Sequence, residues 1–120
     1  MITIEQLKDW NNVKAREDLE QKIEDYIDSE IKRQVLSGKK EIKISTGVHG
    51  IRDHYRSDFY ELWCNEKISS ESLYLVKQKI IEKYREIGLE VKIVTYDEGW
   101  HSIYQGLQIV IPNELLEVSE

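Results

Sequence analysis

The chain has a single cysteine, Cys64, so no disulfide can form within it and a zinc site built on several thiolates is excluded. Proline occurs once, at Pro112, and glycine only six times in 120 residues, a composition suited to long regular elements and unlike a disordered or fibrous chain. No apolar run approaches the ~20 residues that span a bilayer, and the opening MITIEQLKDW lacks the apolar core of a signal peptide. The expectation is a cytoplasmic chain without membrane contact. Glycine-rich phosphate loops, G-x-S-x-G elbows, H-E-x-x-H and EF-hand patterns are all missing, so the expectation is also a non-enzyme with no metal or cofactor.

Positive charge is in deficit. Lys and Arg number 17 against 23 Asp and Glu, a net charge of −6, which argues against nonspecific nucleic-acid binding because that affinity comes from cations displacing phosphate counterions. Alanine is nearly absent too: one Ala stands against 16 Ile, and 5 Arg against 12 Lys, the bias that AT-rich codons favour.

What is present organises the chain around residues 70–112. Leu73, Val76, Ile80, Tyr84 and Ile87 recur at helical spacing and make one core stripe, with Ser69 or Ser70 as N-cap and Gly88 as the left-handed stop. Beyond Gly88 the period falls to two: Leu89, Val91 and Ile93 predict a strand, Asp97-Glu98-Gly99 a turn, and Trp100–Ile111 the returning strand. Gln105-Gly106 suits a bulge, and Pro112 ends the ladder for want of an amide.

Residues 3–38 predict a long helix opened by a capping box, in which Thr3 caps and Gln6 reaches back. Ile4, Leu7, Trp10 and Val13 step by three, whereas Ala15, Leu19, Ile23, Ile27, Ile31 and Val35 step by four, so the two sets cannot share a stripe. Either the helix breaks at Asn11-Asn12 or its two ends touch different surfaces. Strict heptads are not sustained, which speaks against a coiled coil. Ile42 and Ile44 alternate with charged neighbours over 41–46, a first strand. The fold class expected is α+β in one domain over 1–120: a long N-terminal helix and a β-α-α-β-β unit, with helices mainly on one face of a three-stranded sheet. If the first two strands are parallel neighbours, their connection crosses right-handedly.

Candidate site residues fall in three places. Glu20, Glu24 and Asp28 belong to an acidic helix face that would suit a basic partner. Asp97, Glu98, Trp100 and Tyr104 lie at the hairpin tip, where exposed aromatics beside carboxylates would suit a protein contact. Between the first strand and the organising helix, Ile51, Tyr55, Phe59, Leu62 and Trp63 read as the core face of a short helix. On its other side, His54, Asp58 and Glu61 share one face, the arrangement a metal or general-base site needs. Cys64 has no neighbour in sequence to make it a thiolate and reads as a structural thiol. His49 and His101 read as loop histidines.

The organisation resembles the small orphan α+β proteins encoded by tailed phages and other mobile elements of AT-rich, Gram-positive hosts. The resemblance rests on the capped first helix, the strand of Gly38-Lys39 to Ile44, Gly88-Leu89-Glu90-Val91, and Leu107-Gln108-Ile109-Val110-Ile111-Pro112, and covers 16–46 and 70–112. It implies an accessory role, as a virion component or as an inhibitor that binds one host protein, with a protein partner or a homo-oligomer and no nucleic acid. It carries no site residue, and 47–69 depart from the pattern. Two other readings stay open: an acidic immunity or antitoxin protein that occludes a basic toxin through residues 17–30, and a metal-dependent hydrolase using His54, Asp58 and Glu61.

Overall fold

The computed structural model describes residues 1–47, 58–97 and 103–116. Its elements are α1 (Ile4–Leu36), β1 (Glu41–Ser45), α2 (Asp58–Trp63), α3 (Ser70–Glu86), β2 (Glu90–Asp97), β3 (Ile103–Val110) and α4 (Asn113–Leu116). The architecture is α+β, as expected.

α1 starts where its capping box dictates. The Gln6 amide donates to Thr3 Oγ1 at 3.1 Å, and the Thr3 amide donates to Gln6 Oε1 at 3.0 Å, so two otherwise orphan donors are satisfied at once. The helix then runs unbroken through Asn11-Asn12 for 33 residues. It ends in a Schellman motif, with Gly38 N–H bonded to Val35 O and Lys39 N–H to Gln34 O. α3 repeats this grammar: Ser69 Oγ accepts from Ser72 N–H at 3.1 Å, and Gly88, at φ 102°, closes the C-terminus. A side chain at Gly88 would be strained by that backbone and would press on Leu115, 3.2 Å from the position of its Cβ.

The sheet order is β1-β3-β2, antiparallel throughout. The first two strands of the chain are therefore not neighbours: β3 lies between them, and the handedness condition for adjacent parallel strands does not arise. Ile42 and Ile44 pair with Ile109 and Leu107, and Val91 and Ile93 pair with the same two residues from the other side. This alternation turns one face apolar, and the helices pack on it. Leu19, Ile23 and Ile27 from α1, Phe59 and Trp63 from α2, and Val76, Ile80, Ile81 and Tyr84 from α3 complete the core with Ile111.

Two details of the expected packing are corrected. Gly106 sits in regular register with Ser45 and Val94, so there is no bulge at Gln105-Gly106. Its lack of a side chain serves a close approach instead: a Cβ there would fall 2.6 Å from the Tyr96 ring and run into the Ile44 carbonyl. The Tyr96 hydroxyl reaches past this gap and donates to Leu107 O at 2.7 Å. The second correction concerns α3, where Ile87 is the C-cap and 63% exposed while Ile81 is buried. α3 packs against both α1 and β2, so its buried arc is wider than a single stripe.

Side chains from the helices block the sheet edges. The carboxamide of Gln34, itself buried, donates to Lys43 O at 3.0 Å and accepts from Lys43 N–H at 3.1 Å, and so supplies β1 with the partner a further strand would provide. On the far edge, Arg85 donates to Val91 O at 2.8 Å. Beneath the helices, Tyr26, Phe59 and Trp63 stack in series with 5.3 Å between successive ring centroids, and Lys77 Nζ lies 5.0 Å over the Trp63 ring. Trp63 Nε1 donates to Gln105 Oε1 at 3.2 Å, which pins α2 to β3.

Candidate functional site

The acidic residues singled out on α1 are placed together, but against α3. Glu20 accepts Lys83 Nζ at 2.6 Å and lies 3.3 Å from Lys79 Nζ, and Glu24 shares Lys83 at 2.6 Å. One turn on, the Tyr84 hydroxyl donates to Asp28 Oδ1 at 2.6 Å and to the Glu24 carbonyl at 3.2 Å. Glu20 is buried. Its burial pushes the carboxyl up, but the two lysines more than offset this and hold it below the usual carboxylate range. Lys83 is shifted upward by its bonds to Glu20 and Glu24. The Tyr84 phenol is pushed up by burial first and by the Asp28 carboxylate second. These three acidic groups thus form a latch between two helices of the same chain, and as an open docking face they are already occupied.

Of the hairpin residues, Glu98 and Trp100 lie outside the described residues, as do the side chains of Asp97 and Tyr104. In the backbone register Asp97 opposes Ile103 and Tyr104 opposes Tyr96. His54 also lies outside the described residues, with His49, His101, Ile51 and Tyr55, while Asp58 and Glu61 are exposed on α2. Among the described residues no three His, Cys, Asp or Glu side chains converge as a metal site would require.

A hollow of about 470 Å³ lies where α1 meets α2 and the segment after it. Its walls carry Asp18, Glu61 and Glu66 beside Lys22 and Lys67, with half-buried Cys64 and Tyr60 at the base. Mixed charge at this density selects no class of ligand.

The feature that stands apart is the start of α1. Every residue from Met1 to Lys14 is exposed, so the first three turns form an arm that projects beyond its own core. Four large apolar side chains lie along it: Ile4 is 71% exposed, Leu7 53%, Trp10 54% and Val13 40%. At 3.6 residues per turn, Ile4, Leu7 and Trp10 centre on the side of α1 nearly opposite Leu19, Ile23 and Ile27. Over residues 4–13 one half of the arm carries Ile4, Gln6, Leu7, Trp10, Asn11 and Val13, and Glu5, Lys8 and Asp9 lie on the other half; Lys14, the last exposed residue of the arm, falls on the apolar half and pairs with Asp18 at 3.0 Å. The arm therefore presents an exposed apolar face with Lys14 at its C-terminal end.

At the root of the arm Val13 meets α3. There Val13, Leu75 and Val76 line a hollow of about 260 Å³ together with Arg16, Glu17, Glu20 and Lys79, and Leu75 is 50% exposed. The step-of-three spacing was visible in the sequence as an anomaly, and the structure turns it into a surface. Comparison with known protein families, curated proteins and solved structures finds no match.

Proposed function

We propose that this chain is a non-catalytic protein-binding accessory module, of the kind phages and mobile elements encode, which acts in the cytoplasm by docking its helical arm onto another protein chain. The observation that carries the reading is the exposed apolar face of Ile4, Leu7, Trp10 and Val13 on the first turns of α1, ahead of the turns that its core covers. The first turns of a helix without tertiary cover are its least stable part, and turns that carry half-exposed Trp and Leu gain most from a partner that covers them. Net negative charge favours a protein partner over nucleic acid. The occlusion of a basic toxin by Glu20, Glu24 and Asp28 is not favoured, because those groups are committed to Lys79, Lys83 and Tyr84.

The test is affinity capture from a lysate of an AT-rich Gram-positive bacterium, with wild type and the Leu7→Asp and Trp10→Asp variants side by side. A protein, or the chain itself, retained by wild type and lost by both folded variants supports the reading. Equal retention by all three would remove the arm from the binding surface.

A further inference from the structure

From the unequal capping of the two sheet edges we infer that β2 is an interaction strand, and that its occupant is β2 of a second copy of this chain, paired antiparallel about Ile93. This surface is separate from the arm of α1.

The bonds within the sheet fix the direction of each backbone group. Thr46 N–H donates to Gln105 O at 3.0 Å, so Gln105 turns its groups toward β1, and the next residue, Gly106, turns its own toward β2. Gly106 opposes Val94, so Val94 points inward while Val91, Ile93 and Thr95 point away from the sheet. The bond from Arg85 to Val91 O, at 2.8 Å, agrees with that direction. On β1, the outward residue Lys43 has both its groups bonded to the buried Gln34. On β2 the cover stops at the Val91 carbonyl. Among the described residues, nothing pairs with the outward N–H and C=O of Ile93 and Thr95.

A row of unpaired edge groups is complementary to an extended strand. β2 is itself such a strand, eight residues long, with Val91, Ile93, Val94 and Thr95 all β-branched. When Ile93 opposes its own mate, Val91 opposes Thr95 of the second copy, and every outward group from Val91 to Thr95 finds a partner. The Val91 carbonyl keeps Arg85 on its second lone pair. This register also covers Ile93, which is 43% exposed where Val91, its neighbour on the same face, is 3%. No charge directly opposes another in it: Glu90 meets Tyr96 and Lys92 meets Val94. The two Lys92 side chains stand on a diagonal, ~7–8 Å apart, and both are exposed. Sliding one strand by a single residue sets outward groups against inward ones. Sliding it by two sets Lys92 against Lys92 in one direction and Val91 against Asp97 in the other.

The difference between the edges also limits the assembly. Joined through β2, two copies form one sheet in the order β1-β3-β2-β2-β3-β1, and the strands left outermost are the β1 strands that Gln34 caps. Growth therefore stops at two. The contact is one strand wide, so the dimer is weak and fills only as concentration rises.

The experiment is sedimentation equilibrium of the full chain with Cys64→Ser across its soluble range, followed by disulfide trapping. A monomer–dimer equilibrium is expected. Ile93→Lys, which sets two ammonium groups against each other at the axis, is expected to weaken it at least ~30-fold. Thr95→Pro removes an outward N–H that β3 does not use, and is expected to weaken the dimer with its circular dichroism retained. Ile93→Cys is expected to cross-link rapidly to itself, because opposed Cα atoms of a hydrogen-bonded pair lie ~5.5 Å apart. Thr95→Cys, out of step with its mate, is expected to cross-link slowly. A chain that stays monomeric across the whole range overturns the inference. So does a dimer that survives both Ile93→Lys and Thr95→Pro, and so does faster trapping of Thr95→Cys than of Ile93→Cys. A dimer lost in Trp10→Asp but intact in Ile93→Lys belongs to the arm and refutes the pairing of β2.

Discussion

Glu20 shows how much one residue can hold in this molecule. It is a buried carboxylate whose two partners, Lys79 and Lys83, are 62% and 46% exposed, so solvent screens part of the attraction. Glu20→Gln is expected to cost about 1–2 kcal/mol in urea unfolding at neutral pH, the scale of a charge-assisted hydrogen bond discounted for exposure. The pH dependence follows from the direction of the shift. The folded carboxyl titrates below its ordinary value of 4.5, so its contribution is complete above that value and is lost as pH falls through the lowered one. The wild-type melting temperature is therefore expected to drop more steeply on acidification through that range than that of Glu20→Gln; parallel slopes would contradict the latch. Tyr84 works in the opposite sense. Its phenol is held protonated above the ordinary 10.0, so the stability it lends is present below that pH and declines as pH rises beyond it. Tyr84→Phe should remove this alkaline loss at a cost near 1 kcal/mol at neutral pH.

Among the elements, the edge strand β1 depends on a helix side chain. Gln34→Leu fills the same space but leaves both Lys43 backbone groups without their partner, and is expected to destabilise by about 2–3 kcal/mol and to promote association through the bared edge. Light scattering during thermal unfolding checks the second effect; a variant as stable and as soluble as wild type would contradict it. The elements also show what the sequence made legible. Thr3, Ser69, Gly38 and Gly88 act over three or four residues, so their caps could be read directly. Leu107, Ile109 and Ile111 alternate as a strand must. Gly106 was misread because its reason, the ring of Tyr96, arrives from the neighbouring strand. The acidic stripe looked open for a similar cause: Lys83 stands 59 residues beyond Glu24, and nothing local announces that α3 will lie alongside α1. Ile81 was passed over because a single stripe presumes one packing partner, and α3 has two.

The whole molecule divides into a body closed on its own core and an arm that is not. Burial of α1 begins at Ala15, and of the ridge before it only Val13 reaches the body, while Ile4, Leu7 and Trp10 centre on the side away from the core. The sequence displayed the ridge in its step of three, but exposure depends on whether another layer covers it, which spacing cannot say. Charged substitutions at Leu7 or Trp10 touch nothing within the body and should shift the unfolding free energy of the isolated chain by less than about 0.5 kcal/mol, while they abolish association. A large loss of stability in the dilute monomer would show instead that the arm folds back on its own chain.

The most direct measurement is amide hydrogen exchange along α1 in the free chain and with a captured partner bound. In dilute solution residues 4–12 should exchange much faster than residues 19–31, because every side chain in those first turns is exposed. Their protection should rise in the complex while the rest of α1 is unchanged. Exchange in the arm that is slow in dilute solution, or fast with every captured partner, would contradict the claim that the arm is completed by another chain.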